Sequence, residues 1–217
     1  MTDWTDIWIV RIKEADKVSI LSLSREEDRK CYEKIIPLKR KRNFAFRRAV
    51  QNFVLQHYVK SYSIKRDVNG KPYIISDGSE NIYFSSSSSS ELCVVAVSVN
   101  MIGVDLEARR QLVDLVSICE KYLPAFNDIS DVYKESRVVK QLAMCTWCRM
   151  ESFVKLHGLT LHQMLFEQSI RDQNDPSERA SFDVVISGND FVCAVSQFDY
   201  VELKNIYHVD FEKIHHE

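Results

Sequence analysis

The chain has no apolar run long enough to cross a bilayer, no excess of charge of one sign, and too few cysteines for a disulfide scaffold. Its longest uninterrupted apolar stretch, residues 92–97, falls far short of the about 20 residues that a transmembrane helix needs. The opening Met1-Thr2-Asp3-Trp4 lacks the basic and apolar regions of a secretory signal, so a cytoplasmic protein with no membrane partner is expected. Lys and Arg total 29 against 31 Asp and Glu, a formal charge of −2. No whole-protein basic field exists to attract nucleic acid, and any anion site must be local. The six cysteines are expected as reduced thiols. Cys145 and Cys148 have C-x-x-C spacing, but a zinc site needs a second ligand pair and a thioredoxin-like site a preceding strand.

What is present is a chain of 217 residues, 45% apolar and 28% charged, which can bury a sizeable core as one large domain or two small ones. Residues 4–10 are rich in β-formers and open with a strand. Ser24 and Glu27 form a capping box for a short helix to about Ile35. Apolar residues at Phe46, Val50, Phe53 and Val54 recur at helical spacing and predict a long helix from about Arg40 to Tyr62. After a turn at Asn69-Gly70 come strand-like segments at 72–75 and 82–84, separated by a turn at 77–79, and then six consecutive serines, 85–90, expected as a loop inside the fold. Residues 92–99 and 101–106 predict an antiparallel hairpin about Asn100. Helices are expected over about 113–122 and about 131–157, the latter closed by Gly158. The segments at 182–186, 191–195 and 201–209 read as a terminal antiparallel sheet.

An internal echo bears on the fold. Val94-Val95-Ala96-Val97-Ser98 resembles Val192-Cys193-Ala194-Val195-Ser196, and each follows a helix containing Phe53-Val54 or Phe153-Val154 by about forty residues. The expected class is α+β: two pseudo-symmetric halves, 1–100 and 101–217, each a long helix packed on an antiparallel sheet.

Three constellations carry chemistry. In Ile102-Gly103-Val104-Asp105-Leu106-Glu107 the carboxylates at i and i+2 share one face of a strand and can converge on a hard cation. Trp147, Glu151 and Lys155 line one helical face, where a surface ion pair is the bland reading and a third metal carboxylate the functional one. Lys39-Arg40-Lys41-Arg42 with Arg47 and Arg48 is a solvated helix face, a nucleic-acid patch or a site for a small polyanion. Lys71 adds a cation at a rigid turn, and the serine run offers hydroxyls and N–H groups to phosphate oxygens.

In this order the motifs resemble the surfactin-synthetase-type (Sfp-type) 4′-phosphopantetheinyl transferases. That family shows a G-K-P turn, F-N-x-S-H, [IV]-G-[IV]-D-[ILV]-E and W-[ST]-x-K-E-[AS]-x-x-K. Gly70-Lys71-Pro72 and residues 102–107 are intact here, and the helix motif matches at Trp147, Glu151, Ser152 and Lys155. The chain departs at Ser85 and Ser88, where the family has Asn and a phosphate-contacting His, and at Cys148 and Met150, where it has Ser/Thr and Lys.

The resemblance implies transfer of the phosphopantetheine arm of coenzyme A to a serine of an acyl or peptidyl carrier protein, releasing adenosine 3′,5′-bisphosphate. By the same resemblance Asp105, Glu107 and Glu151 hold Mg²⁺, Glu151 or a water it orients is the base, and Lys155 steadies the transferred phosphate. Arg47, Lys71, Ser87 and Ser88 bind coenzyme A, joined by Lys39 from its place in the basic run, in a monomer whose halves mimic a dimer. The alternative in the same family is a catalytically weakened homologue that binds coenzyme A or carrier protein without efficient transfer. A nucleic-acid module using residues 39–48 is the alternative from another class, and the net charge argues against it.

Overall fold

The computed structural model describes residues 4–11, 25–76, 82–89, 91–108, 115–122, 126, 136–166, 182–187, 191–198 and 203–210. Along the chain these form β1 (Thr5–Arg11), α1 (Glu26–Glu33), α2 (Leu38–Gln56), β2 (Tyr62–Arg66), β3 (Pro72–Ser76), β4 (Tyr83–Ser89), β5 (Leu92–Ser98) and β6 (Ile102–Ala108). They continue as α3 (Leu115–Tyr122), α4 (Ser136–His157), α5 (Leu161–Phe166), β7 (Phe182–Ser187), β8 (Phe191–Gln197) and β9 (Leu203–Asp210). The capping Ser24, the turn at 77–79, Ser90, and the helical starts expected at 113–114 and 131–135 lie outside the described residues.

Strand alternation sorts the side chains into layers. One face of a four-stranded sheet, order β4-β5-β1-β9, presents Trp8, Val10, Phe84, Cys93, Val95 and Val97 to Ala45, Phe46, Ala49, Val50, Val54 and Leu55 of α2. Its other face, with Ile7, Ile9, Val94 and Ala96, meets Ile102, Val104, Leu106, Phe191, Cys193 and Val195 of an antiparallel three-stranded sheet, order β6-β8-β7. The far face of that second sheet, through Val192 and Ala194, packs on Met144 and Cys148 of α4. The fold is α+β, stacked helix, sheet, sheet, helix.

Four expectations are corrected. The serine run is no loop: Ser85–Ser89 belongs to β4 and pairs antiparallel with β5. Residues 92–106 do not form a hairpin, because β5 is already paired on both edges by β4 and β1, so the bend at 99–101 carries the chain into the other sheet. Residue 100, the expected division of the chain, lies in this bend. The last strand leaves the terminal sheet: β9 pairs parallel with the free edge of β1. Helix α2 stops at Gln56, where His57 and Tyr58 donate to Val54 and Leu55 in tightened i→i+3 bonds.

The expected end of α4 stands. Gly158 is left-handed, φ +65°, its N–H reaches the Lys155 carbonyl and the Leu159 N–H reaches the Val154 carbonyl, the two bonds of a Schellman motif.

The serines explain how the two sheets meet along their edges. Ser85, Ser87 and Ser89 alternate toward β6, while Ser86 and Ser88 face α2. Ser85 Oγ accepts from the Val104 N–H at 3.0 Å and Ser89 Oγ from the Ala108 N–H at 3.1 Å, both at an offset of 19 residues. The edges of β4 and β6 therefore run in the same direction, with hydroxyls standing in for ladder carbonyls. On the other face Ser86 Oγ accepts from Gln51 Nε2 of α2 at 2.5 Å. Ser85→Ala leaves a buried N–H without its acceptor and is expected to cost about 1–3 kcal/mol. Urea denaturation measures it; an unchanged midpoint would show that the seam does not depend on the hydroxyl.

Candidate functional site

The site is built where β6 and α4 touch. On β6, Val104 and Leu106 turn into the core between the sheets, which leaves Gly103, Asp105 and Glu107 on the face toward α4. A Cβ at Gly103 would overlap the carbonyl oxygen of Ser152 and crowd the backbone of Leu156, so the glycine permits a backbone approach that no other residue allows. Ser152, buried, shares a hydrogen bond of 2.6 Å with Ser196 of β8 and pins the helix to the sheet. This contact brings Glu151 and Lys155 over the β6 carboxylates.

The axial position of α4 is fixed from its other end. The β2–β3 turn folds around Asp67, whose Oδ1 accepts from the N–H groups of Asn69 and Lys71 at 2.9 and 2.8 Å, with Gly70 at φ +87°. From this turn Asn69 Nδ2 donates to the Gly158 carbonyl and Lys71 Nζ to the Leu156 carbonyl, both at 2.7 Å. A cation on the last carbonyls of a helix is favoured by the macrodipole. Lys71, expected on coenzyme A, thus holds the end of α4, and burial lowers its pKa to about 8.

At the centre Asp105, 2% exposed, accepts from Lys155 Nζ at 2.6 Å and from Ser87 Oγ at 2.8 Å, both on Oδ1. Lys155 Nζ also reaches Ser87 Oγ at 3.1 Å and stands 3.9 Å from Glu151 Oε2. Ser89 Oγ donates to Glu107 Oε2 at 3.5 Å. The ammonium pairs with two of the three carboxylates, Asp105 and Glu151, and the third, Glu107, feels the charges of all three groups. Burial, then the charges of Asp105 and Glu151, pushes the Glu107 carboxyl up to about 7. Burial, then Asp105, likewise raises Glu151. Three thiols lie near this cluster, and burial pushes Cys93 up to about 12 and raises Cys148 and Cys193, which makes them poor nucleophiles. All six cysteines are free.

The donor set suits a hard divalent cation: carboxylate oxygens carrying a surplus of negative charge. Asp105 Oδ2 is buried and accepts no hydrogen bond, an orphaned acceptor that a cation would satisfy. Among the described residues no three His, Cys, Asp or Glu side chains already stand at a common coordination distance; the Lys155 ammonium lies between Asp105 and Glu151 instead.

On the opposite face of β4 is a cleft of about 620 Å³ whose walls include Lys34, Arg40, Asn43, Arg47 and Ser88. Burial depresses the Arg47 pKa, and no carboxylate among the described residues forms an ion pair with it. Arg47 and Ser88 therefore come together as expected, while Ser87 points to the carboxylates on the other side of the strand. Lys39 is exposed and outside the cleft. The sequence holds the signal that separates them: Arg40, Asn43, Phe44 and Arg47 fall at i, i+3, i+4 and i+7, one helical stripe from which Lys39 is rotated by about 100°. Without that reading Asn43 goes unnoticed, and Arg40 is only one cation of the basic run. Ser85 and Ser89 were missed because alternation along a homopolymeric run has no pattern.

No family model matches the chain and no curated protein matches it; the site is read from its own geometry.

A raised carboxyl pKa leaves a mark on stability. Between the ordinary value of 4.5 and about 7 the folded chain holds a proton at Glu107 that the unfolded chain has released. Stability therefore falls as pH rises through that window and levels above it. Glu151, shifted the same way, adds to the slope. Urea denaturation across the window should show a shallower decline in Glu107→Gln than in the parent chain, and identical slopes would place Glu107 in water.

Proposed function

We propose that the chain transfers the 4′-phosphopantetheine arm of coenzyme A to a serine of an acyl or peptidyl carrier protein. The observation that carries this reading is the meeting of two distant motifs: Lys155 of α4 pairs with Asp105 of β6 and with Glu151, and Glu107 of β6 lies within the field of these charges. A basic cleft lies across a single strand from them. A substrate with several phosphate groups needs both environments: cations to hold its anionic groups, and a site to neutralise charge where the bond breaks.

In the reaction the carrier serine oxygen bonds to the phosphorus that bears the pantetheine arm. The bridging bond of the pyrophosphate breaks, and adenosine 3′,5′-bisphosphate leaves. Arg47 and Ser88 hold a phosphate group in the cleft, Arg47 by charge and Ser88 by one uncharged hydrogen bond. Glu151, whose proton affinity burial raises, accepts the serine proton. Lys155 steadies the transferred phosphoryl oxygens and Ser87 orients Asp105. Asp105, Glu107 and Glu151 would hold Mg²⁺, which supplies charge neutralisation at the pyrophosphate. Lys71 acts through α4, by fixing the helix that bears Glu151 and Lys155.

The halves 1–100 and 101–217 are read as pseudo-symmetric, in a monomer acting in the cytoplasm. Supporting the pseudo-symmetry alone, β5 and β8 are each an inner strand of their sheet, and each sheet carries one long helix. A second reading, a weakened homologue that binds without efficient transfer, is favoured by two observations: Lys155 is already bonded to Asp105, and the cleft presents the uncharged Ser88 where the family has His.

Incubation with coenzyme A, Mg²⁺ and apo-carrier proteins, followed by mass spectrometry, separates the two readings. Transfer is expected as a mass gain of one phosphopantetheine group; carrier left unmodified while coenzyme A binds supports the weakened homologue. Asp105→Ala or Glu151→Ala is expected to reduce the rate by on the order of a hundredfold or more, since several kcal/mol of charge stabilisation is lost. Near-normal rates in either variant contradict the assignment. Arg47→Ala is expected to raise the KM for coenzyme A about tenfold through loss of a charge-assisted bond. An effect confined to the carrier KM would move Arg47 out of the coenzyme A site.

A further inference from the structure

The elbow between α1 and α2 exposes both grease and charge. Ile36 is 93% exposed and Leu38 59% exposed, on either side of Pro37, which stands at the N-cap of α2 in an extended conformation. An isolated exposed aliphatic is unremarkable on a protein surface. Here the two lie amid Lys34, Lys39, Arg40 and Arg42, all exposed, and among the described residues none of these four forms an ion pair. Lys41 differs, its ammonium lying 4.6 Å from the centre of the Tyr32 ring.

The first turn of α2 also has no acidic residue, and its cations oppose the helix dipole, whose N-terminus favours negative charge. An arrangement that works against the helix and shows aliphatic side chains to water suits a surface completed by something else.

We propose that this elbow docks an acidic helical protein, Ile36 and Leu38 seating in an apolar depression ringed by carboxylates that pair with Arg42, Lys39 and Arg40. The occupant is the carrier protein, and this part of the inference rests on the function proposed above. Charge complementarity selects an acidic partner, and the aliphatic pair selects a protein surface over a nucleic acid, which offers no apolar pit. Position supports it as well: Lys34, Ile36, Pro37 and Arg40 wall the cleft that contains Arg47 and Ser88, and Ser88 is the neighbour of Ser87, which donates to Asp105. A partner seated on the elbow stands at the rim of the phosphate cleft. Lys39, exposed and outside the cleft, belongs to this docking face.

The test uses Leu38→Asp/Arg42→Glu, two exposed positions at i and i+4 on one helical face, neither in the cleft wall; Arg42→Ala is the milder companion. Apo acyl carrier protein is the probe, with steady-state transfer and calorimetric binding as readouts. In the parent chain the carrier KM should rise with added NaCl. The double variant is expected to raise it about tenfold or more, with the KM for coenzyme A and the kcat at saturating carrier within about twofold. An unchanged carrier KM in an active double variant overturns the docking face and leaves the function standing. Carrier binding without transfer, weakened by the double variant, supports the docking face while contradicting the function. Absence of both binding and transfer in the parent chain, or tighter binding of duplex DNA than of carrier at this elbow, overturns the docking proposal.

Discussion

The backbone approach of β6 to α4 at Gly103 is the constraint on which the rest of the site depends. Without a side chain at this position, the helix lies close enough for Lys155 to reach Asp105 at 2.6 Å. Residues 46 and 50 positions apart thereby become one electrostatic unit, Asp105 with Glu151 and with Lys155. The helix is then held along its axis by Ser152 against Ser196, by the Schellman turn at Gly158, and by Lys71 and Asn69 on its last carbonyls. None of these contacts is chemical in the functional sense. Together they set where the Glu151 carboxylate and the Lys155 ammonium sit, and a site of closely opposed charges tolerates little freedom in either.

The serine strand is the second element of the design. Its alternate hydroxyls face two environments: Ser85, Ser87 and Ser89 close the seam with β6 and the carboxylates, while Ser86 and Ser88 face the basic helix. Larger side chains would separate the two sheet edges, and alanines would leave the outward N–H groups of β6 without acceptors. A thin hydroxyl-lined strand thus divides an acidic cluster from a basic cleft. The arrangement keeps the two from neutralising each other directly.

Much of this was legible in the sequence, and the failures have physical causes. Helices α2 and α4 were readable because their apolar spacing is periodic, and Gly158 marked the end of α4 because its left-handed conformation is specific to such a position. Asp105, Glu107, Glu151 and Lys155 were found together because strand and helix periodicity each place side chains on one face, and the motif order joined them. The serine run misled because serine has no strong strand preference and a run of one residue type has no alternation to read. The hairpin about Asn100 was a local inference, defeated by competition for edges: β5 was already paired on both sides. The partner of β9 was invisible for the same reason, since parallel pairing with β1 joins the two ends of the described chain. Lys71 is assigned to coenzyme A from its place in the G-K-P motif, and only the folded chain shows that its ammonium also reaches one of the last carbonyls of α4.

The claim at the centre of this account is that β6 and α4 build a single cation site from side chains of both. Titration with Mn²⁺ followed by electron paramagnetic resonance measures it directly, without reference to catalysis. The account predicts one bound Mn²⁺ per chain in the parent protein, and a loss of affinity of on the order of tenfold or more when a carboxylate is removed from either element, in Asp105→Asn or in Glu151→Gln. No bound Mn²⁺, or binding that both substitutions leave unchanged, would contradict it.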